Sequence, residues 1–409
     1  MHIVVLNHYA GSPAMGMEYR PYYLGQEWLK KGHKVTIVAA TYSHLRTHNK
    51  DFKEKITRET IDGIEYIWIK TCHYKGNSWG RIRSIFEYLW GLYSLIPVLV
   101  KEKPDAVIAS STYPLDNYPA YKLAKKSGAK YLYEVHDLWP LSPMELGGYS
   151  KWHPFIMVMQ WAEDFAYKHV DKVISIMPNS LEHMSSRGLN RSKFFHIPNG
   201  IVLDEVQSPI PLPADVEAQL PKDKFIVGYC GTFGIANALF NVLNAAALIK
   251  DKNPDICYCL VGKGPERENL QKYIRDRQLN NVIIIDSIPK KSVQTMLSRF
   301  GIAILSLNDS PLFRFGISPN KLFDYMYSGK PVVQSVIAGN DIPGDSGCGI
   351  TCKPDPEEIV KAIMQIYNMD KEQRAAMGVK GREYVLKNHT YSVLAEKFIE
   401  AIQKNVTAL

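Results

Sequence analysis

Lys321 and Asp324 stand one helical turn apart in the run Ser318-Pro319-Asn320-Lys321-Leu322-Phe323-Asp324-Tyr325-Met326-Tyr327-Ser328-Gly329-Lys330-Pro331. A cation and a carboxylate at that spacing suit a ligand that is both anionic and hydroxylated. The pattern predicts a loop, a two-turn helix closed by Gly329, and a buried strand beginning at Pro331. A helix N-terminus attracts phosphate through its free N–H groups and its dipole, Lys321 adds a full charge, and Asp324 can accept hydrogen bonds from a sugar or ribose. A nucleotide diphosphate carrying a sugar has all of these features. Ile317, Ser318 and Asn320, at the helix start, are expected among its contacts.

Other segments invite the same question. Ala10-Gly11-Ser12-Pro13-Ala14-Met15-Gly16, leading to Arg20, is a small-residue loop that opens a helix. It lacks the Lys-Ser/Thr of a Walker A loop and the three-glycine dinucleotide spacing. Gly16 would let the backbone approach a ligand and Arg20 would contact phosphate, although a plain strand-to-helix turn explains the glycines almost as well. Glu134-Val135-His136-Asp137 ends an apolar strand, with Trp139 in the irregular loop beyond. Polar residues at the carboxyl edge of a central parallel strand point toward a crevice, while a satisfied buried histidine is the plainer alternative for His136. Glu134, Asp137 and Trp139 are expected to line that crevice. Gly231-Thr232-Phe233-Gly234 and Gly262-Lys263-Gly264 each follow a strand and open a helix, so these residues are expected on the donor. Lys263 is equally readable as a solvated loop lysine.

The elements that would position these residues come in two series. Apolar runs at 2–7, 34–40, 106–110, 130–135, 172–177 and 194–197 alternate with amphipathic stretches, and an added hairpin surrounds Asp62-Gly63. From Pro198 to 224 the chain is proline-rich and aperiodic, which reads as a linker. Alternation then restarts with strands at 225–230, 256–261, 282–286, 302–307 and 331–336. The fold class expected is therefore α/β, with two Rossmann-like doubly wound domains, residues 1–200 and 201–390, facing across a cleft. A last helix within 391–409 is expected to pack back on the first domain.

Composition sets limits. The 409 residues, 46% of them hydrophobic, suffice for two cores. Residues 1–200 carry 25 Lys and Arg against 18 Asp and Glu, and the remainder 24 against 23; eleven of the twelve histidines also fall in the first half. That asymmetry is either a solvated surface or an attraction to an anionic lipid face or a pyrophosphate-bearing acceptor. The six cysteines are scattered and read as reduced structural thiols. Met1 to Asn7 lacks a signal-peptide n-region, so a cytoplasmic location is expected. The aromatic and apolar stretches at 84–100 and 149–161 are either core or a peripheral membrane contact, the former being too short to span. No metal cofactor and no nucleic acid partner are expected.

Taken in order, the N-terminal glycine loop, the Glu-x-His-Asp strand end, Pro198-Asn199-Gly200, the Val261-Gly262-x-Gly264 loop and the Ser318–Val333 segment resemble the GT-B fold retaining glycosyltransferases of family 4 over nearly the whole chain. Asp137-Leu138-Trp139-Pro140 through Gly147, with Ser318-Pro319-Asn320-Lys321, is more narrowly similar to bacterial transferases that add N-acetylated deoxyaminosugars such as N-acetylfucosamine in O-antigen or capsule assembly. The resemblance implies a UDP-sugar donor bound by residues 201–390, a polyprenyl-diphosphate-linked saccharide acceptor bound by residues 1–200 with Glu134, Asp137 and Trp139 on its side, and no metal. It implies that His136 touches the donor sugar near the anomeric carbon and that Asp324 is the second acid of the family's E-x7-E motif, holding the ribose. Two departures stand out: Gly316 occupies the first acid's place, and Gly231 to Phe240 contains no cation. Lys321, helped by Lys263 or Arg314, would hold the pyrophosphate instead. The competing readings are a non-hydrolysing UDP-sugar 2-epimerase and a non-catalytic scaffold protein that binds the nucleotide-sugar.

Overall fold

The computed structural model describes residues 1–16, 19–76 and 79–404. It divides into two compact units, Met1–Pro198 with Tyr391–Leu409, and Asn199–Thr390. Residues 405–409 of the expected C-terminal segment lie outside the described residues, as do Met17 and Glu18 of the first glycine loop.

The first unit is built on an eight-stranded sheet of β1 (His2–Leu6), β2 (Lys34–Ala40), β3 (Ile56–Ile61), β4 (Ile64–Ile69), β5 (Ala106–Ala109), β6 (Lys130–Val135), β7 (Lys172–Ser175) and β8 (Phe194–His196). Their spatial order is β3-β4-β2-β1-β5-β6-β7-β8. All pairs are parallel except the β3–β4 hairpin, which turns at Asp62-Gly63 as its sequence demands. Strands such as β1 and β5 are buried at every position, the consequence of helices covering both faces and the reason their sequences run Ile-Val-Val and Val-Ile without alternation. The chain leaves β1 for β2 on one side and reaches β5 on the other, so the switch point lies between β1 and β5. The run at 172–177 stops pairing at Ser175, because the Ser175 hydroxyl takes the Met177 N–H at 3.1 Å and turns the chain.

The Tyr391–Gln403 helix belongs to this first unit. The Trp28 indole donates to the Ala395 carbonyl at 3.2 Å and its ring meets Phe398 edge-on at 5.5 Å, both side chains being fully buried. Losing either ring would cost about 3–5 kcal/mol. The Trp79–Lys101 helix presents Trp79, Phe86 and Trp90 outward, at 84%, 60% and 80% exposure. Among the described residues no helix is long and apolar enough to cross a membrane.

In the second unit, β9 (Phe225–Cys230), β10 (Ile256–Val261), β11 (Val282–Ile285), β12 (Ile302–Ser306), β13 (Val332–Ser335) and β14 (Gly349–Cys352) form an all-parallel sheet ordered β11-β10-β9-β12-β13-β14. One face packs on Leu322, Phe323, Tyr325 and Met326, the other on Val242, Leu243, Ile359 and Ile363. Strand β14 escapes sequence reading because it is a four-residue edge strand, half-buried throughout and begun by glycine. The proline-rich stretch is not a free linker. It holds short helices at Leu203–Gln207 and Ala214–Glu217, and Leu212, Val216 and Leu220 enter the second unit's core. Proline breaks the periodicity there without breaking the packing.

Candidate active site

In the first unit, polar side chains gather at the carboxyl ends of β1, β5 and β6, beside the switch point. Ser110 follows β5 and is 1% exposed. Its hydroxyl donates to Glu134 Oε2 at 2.6 Å and lies 3.0 Å from His136 Nε2, while Asn7 Nδ2 donates to it at 3.2 Å. The other Glu134 oxygen receives Arg20 Nε at 2.8 Å, and the remaining guanidinium nitrogens donate to the Pro198 and Ile197 carbonyls at 2.6 and 2.8 Å. Burial alone would raise the Glu134 pKa, but Arg20, His136 and Ser110 together hold it well below the usual carboxylate range.

Two expectations are corrected by this arrangement. Arg20 does not offer its charge to a phosphate: it is 6% exposed and bound to Glu134 and two backbone carbonyls. Glu134 does not reach an acceptor, being 2% exposed with both oxygens engaged. A buried arginine and a buried glutamate each impose a large desolvation cost that the other offsets. Their separation of 114 residues hides the pairing from sequence.

His136 is half-buried and Asp137 is exposed. Trp139 meets Phe155 edge-on at 6.0 Å and packs on a cluster containing Tyr9, Ile85, Tyr113 and Met159. Gly16 sits at φ +88° with Thr47 so close that a Cβ would lie 2.5 Å from its Oγ1; the turn and this approach account for the glycine without a ligand. Beneath the same edge Asp116 is fully buried, with Oδ2 accepting from the Ser111 N–H at 3.1 Å and Oδ1 lacking a hydrogen-bond partner. Desolvation pushes its pKa up to about 7.

In the second unit the predicted helix runs Asn320–Tyr327, with Pro319 at its N-cap and no side chain capping it. Lys321 folds back from its first turn. Its ammonium donates to the Tyr229 hydroxyl at 2.9 Å and to Asn237 Oδ1, and lies 4.8 Å from the Tyr229 ring centre. Tyr229 and Asn237 Nδ2 in turn donate to the Thr232 carbonyl, at 2.7 and 2.9 Å. Gly231 stands beside the Lys321 stem, where a Cβ would be 3.4 Å from Cε. Burial pushes the Lys321 pKa down to about 8, only weakly opposed by the Cys230 thiol. Asp324, half-buried one turn on, makes no hydrogen bond or ion pair through its carboxyl among the described residues, and desolvation pushes it up to about 6. A cation and an open carboxyl therefore share one short helix, as their spacing requires.

The flanking residues have their own work. Ser318 Oγ accepts from the Asn199 N–H at 2.8 Å, and the Ser318 carbonyl accepts from Asn199 Nδ2 at 2.8 Å, fixing the Pro198-Asn199-Gly200 turn. Ile317 exchanges two backbone hydrogen bonds with the Asn340 amide, at 2.8 and 3.0 Å. Asn320 is exposed. The two glycine loops pack on each other: a Cβ on Gly262 would lie 1.9 Å from the Gly231 carbonyl oxygen, and one on Gly264 2.4 Å from that of Phe233. Gly234 has extended backbone at φ −113°. Lys263 lends its carbonyl to the Phe233 N–H at 2.8 Å, and its side chain is exposed. Arg314 lies over the Phe315 ring at 4.3 Å and donates to the Pro311 carbonyl.

Sequence reasoning missed Tyr229, Asn237, Asn7 and Ser110. Tyr229 reads as an ordinary core position of an apolar strand; Asn237, two residues before a helix, gave the only usable signal. Among the described residues no three His, Cys, Asp or Glu side chains group as metal ligands.

Two Rossmann-like sheets, parallel but for one hairpin, define the GT-B class of fold. Residues 15–205 match the profile described as Glycosyltransferase Family 4 and residues 214–384 that of Glycosyl transferases group 1, so the chain belongs to the group 1/family 4 retaining glycosyltransferases. It is 24% identical over 268 residues to a protein of Escherichia coli strain K12 named as a colanic acid biosynthesis glycosyl transferase, WcaI; the match covers 63% of this chain and 64% of that one. It is 22% identical over 360 residues to a component of the phosphatidylinositol N-acetylglucosaminyltransferase of Arabidopsis thaliana, covering 85% of this chain and 70% of the relative. The Anabaena protein Alr3699/HepE, solved with UDP and glucose, superimposes with a TM-score of 0.65 at 15% identity, over 98% of this chain and 99% of that one.

Proposed function

We propose that this glycosyltransferase moves an N-acetylated aminosugar or deoxyaminosugar from a UDP-sugar to a lipid-diphosphate-linked saccharide, with retention, in the synthesis of a bacterial surface polysaccharide of the O-antigen or capsule kind. The observation that carries this reading is Lys321, a lysine desolvated at a helix N-terminus with the open Asp324 carboxyl one turn away. The bond from the anomeric carbon to the phosphate oxygen breaks, and negative charge grows on the β-phosphate. Lys321 and the first N–H groups of its helix stabilise that charge. The acceptor oxygen bonds to the anomeric carbon on the same face, and its proton passes to the departing phosphate. Asp324 takes the ribose hydroxyls, and His136 is the group that meets the sugar near the anomeric carbon. The names of the two curated relatives, one concerned with a polysaccharide and one with N-acetylglucosamine and a lipid, favour this donor and acceptor class.

The acceptor's lipid implies work at the inner face of the cytoplasmic membrane. The first unit supports this with Trp79, Phe86, Trp90, Trp152 and Trp161, each at least 60% exposed, and with Lys122 and Lys151 lying over the Tyr93 and Trp152 rings at 5.2 Å. Exposed aromatics beside lysines are suited to an anionic bilayer interface.

Mass spectrometry of the protein with a panel of nucleotide sugars and a synthetic lipid-diphosphate saccharide tests the reaction. A lengthened acceptor and released UDP are expected. Conversion of the donor to its 2-epimer without acceptor would identify an epimerase instead. Lys321→Ala should lower kcat by about 10²- to 10³-fold; undiminished turnover removes Lys321 from the mechanism.

A further inference from the structure

The buried Arg20–Glu134 pair is costly, and apolar side chains of similar volume would commonly stabilise a fold as well. Its position suggests a use. Ser110 has one proton, and it goes to Glu134 Oε2 at 2.6 Å. The Ser110 oxygen is then left only lone pairs, so the short contacts it makes with Asn7 Nδ2, at 3.2 Å, and with His136 Nε2, at 3.0 Å, must both be hydrogen bonds that it accepts. His136 therefore carries its proton on Nε2. The Glu134 carboxylate oxygen lies 3.5 Å from the same nitrogen. Behind it, Arg20 is fixed by the Ile197 and Pro198 carbonyls, which prevents Glu134 from turning away. Every member except His136 is at most 6% exposed.

We infer that Glu134, acting through Ser110, is a positioning residue that holds the His136 ring in one orientation and in its Nε2-protonated form. This rests on the reading of His136 as a group that meets the donor sugar. Arg20, Asn7 and Ser110 are the frame of that arrangement, which accounts for the buried Arg20 guanidinium. Charged groups among the described residues that also act on the ring include Asp116, in the turn after β5, and Asp137, in the loop after β6. Neither exchanges a hydrogen bond with Ser110.

The test is ¹⁵N NMR of histidine-labelled protein, with His136→Ala identifying the resonance, alongside steady-state kinetics of Ser110→Ala. This variant leaves the Arg20–Glu134 pair intact, so the fold keeps its buried charges balanced. The wild-type ring should show the Nε2–H form, or the imidazolium on acidification, and Ser110→Ala should shift it toward a mixture of tautomers. Turnover should fall about 10- to 100-fold, the scale of losing an orienting partner, with donor KM changed less than about two-fold. A wild-type ring protonated on Nδ1 overturns the inference even if the variant does not fold, and so does a Ser110→Ala protein with an unchanged spectrum and unchanged kcat. Full activity of His136→Ala would remove the histidine's role at the sugar, while the tautomer measurement would still decide what Glu134 and Ser110 do.

Discussion

The role proposed for Lys321, whose pKa burial pushes down to about 8, predicts donor binding that weakens in alkali. Burial lowers the pKa of Lys321, so the ammonium is mostly charged at pH 7, half neutral at about pH 8 and lost above it. Affinity for UDP, followed by calorimetry from pH 7 to 9.5, should weaken across this window, and Lys321→Arg should flatten the profile because guanidinium stays charged. Asp324 has the opposite sign: its raised pKa, about 6, leaves it neutral on the acid side, where it accepts less well from hydroxyls. Gly316 supplies a second residue-level test. Its φ of +94° with ψ 167° belongs to a region open essentially to glycine, so an acid at that position is excluded by the backbone here. Gly316→Glu should cost about 1–3 kcal/mol in denaturant unfolding and should not raise turnover. Lys321 and Asp324 were legible in the sequence because one helix sets their relation. The partners of Lys321 were not, since Tyr229 and Asn237 lie 92 and 84 residues away along the chain.

Among the elements, the Trp79–Lys101 helix is the most informative. Its inward residues Ile85, Tyr88, Leu92, Leu95 and Leu99 follow helical spacing and settle the question of core for that face. Its outward tryptophans remain, and exposed rings of that size are unusual on a surface that meets only water. In flotation with anionic vesicles at low salt the protein should rise with the lipid, and Trp90→Ala combined with Trp161→Ala should leave most of it at the bottom. Wild-type protein that stays down would show that this surface serves something else. Strand and helix placement was well read wherever burial on both faces produced unbroken apolar runs, as in β2, β6, β9 and β10. It failed where neighbours rather than pattern decide, at the edge strand β14 and in the proline-rich segment whose Leu212, Val216 and Leu220 pack in the core.

At the scale of the molecule, two Rossmann-like sheets hold different chemical inventories: a desolvated lysine beside one, a histidine set in a buried ion-pair network beside the other. The net charge of +8, concentrated in residues 1–200, adds a long-range attraction for anionic surfaces and substrates. One topological detail also bears on how the chain is made. The second unit is a continuous stretch, Asn199–Thr390, whereas the first is closed by the Tyr391–Gln403 helix, whose Ala395 and Phe398 cover Trp28. On the ribosome, the first unit is therefore completed only after the whole of the second has been made. The unit synthesised second can reach its native core while Trp28 still waits for its partner, and chaperone or protease encounter during synthesis would fall on the N-terminal sheet.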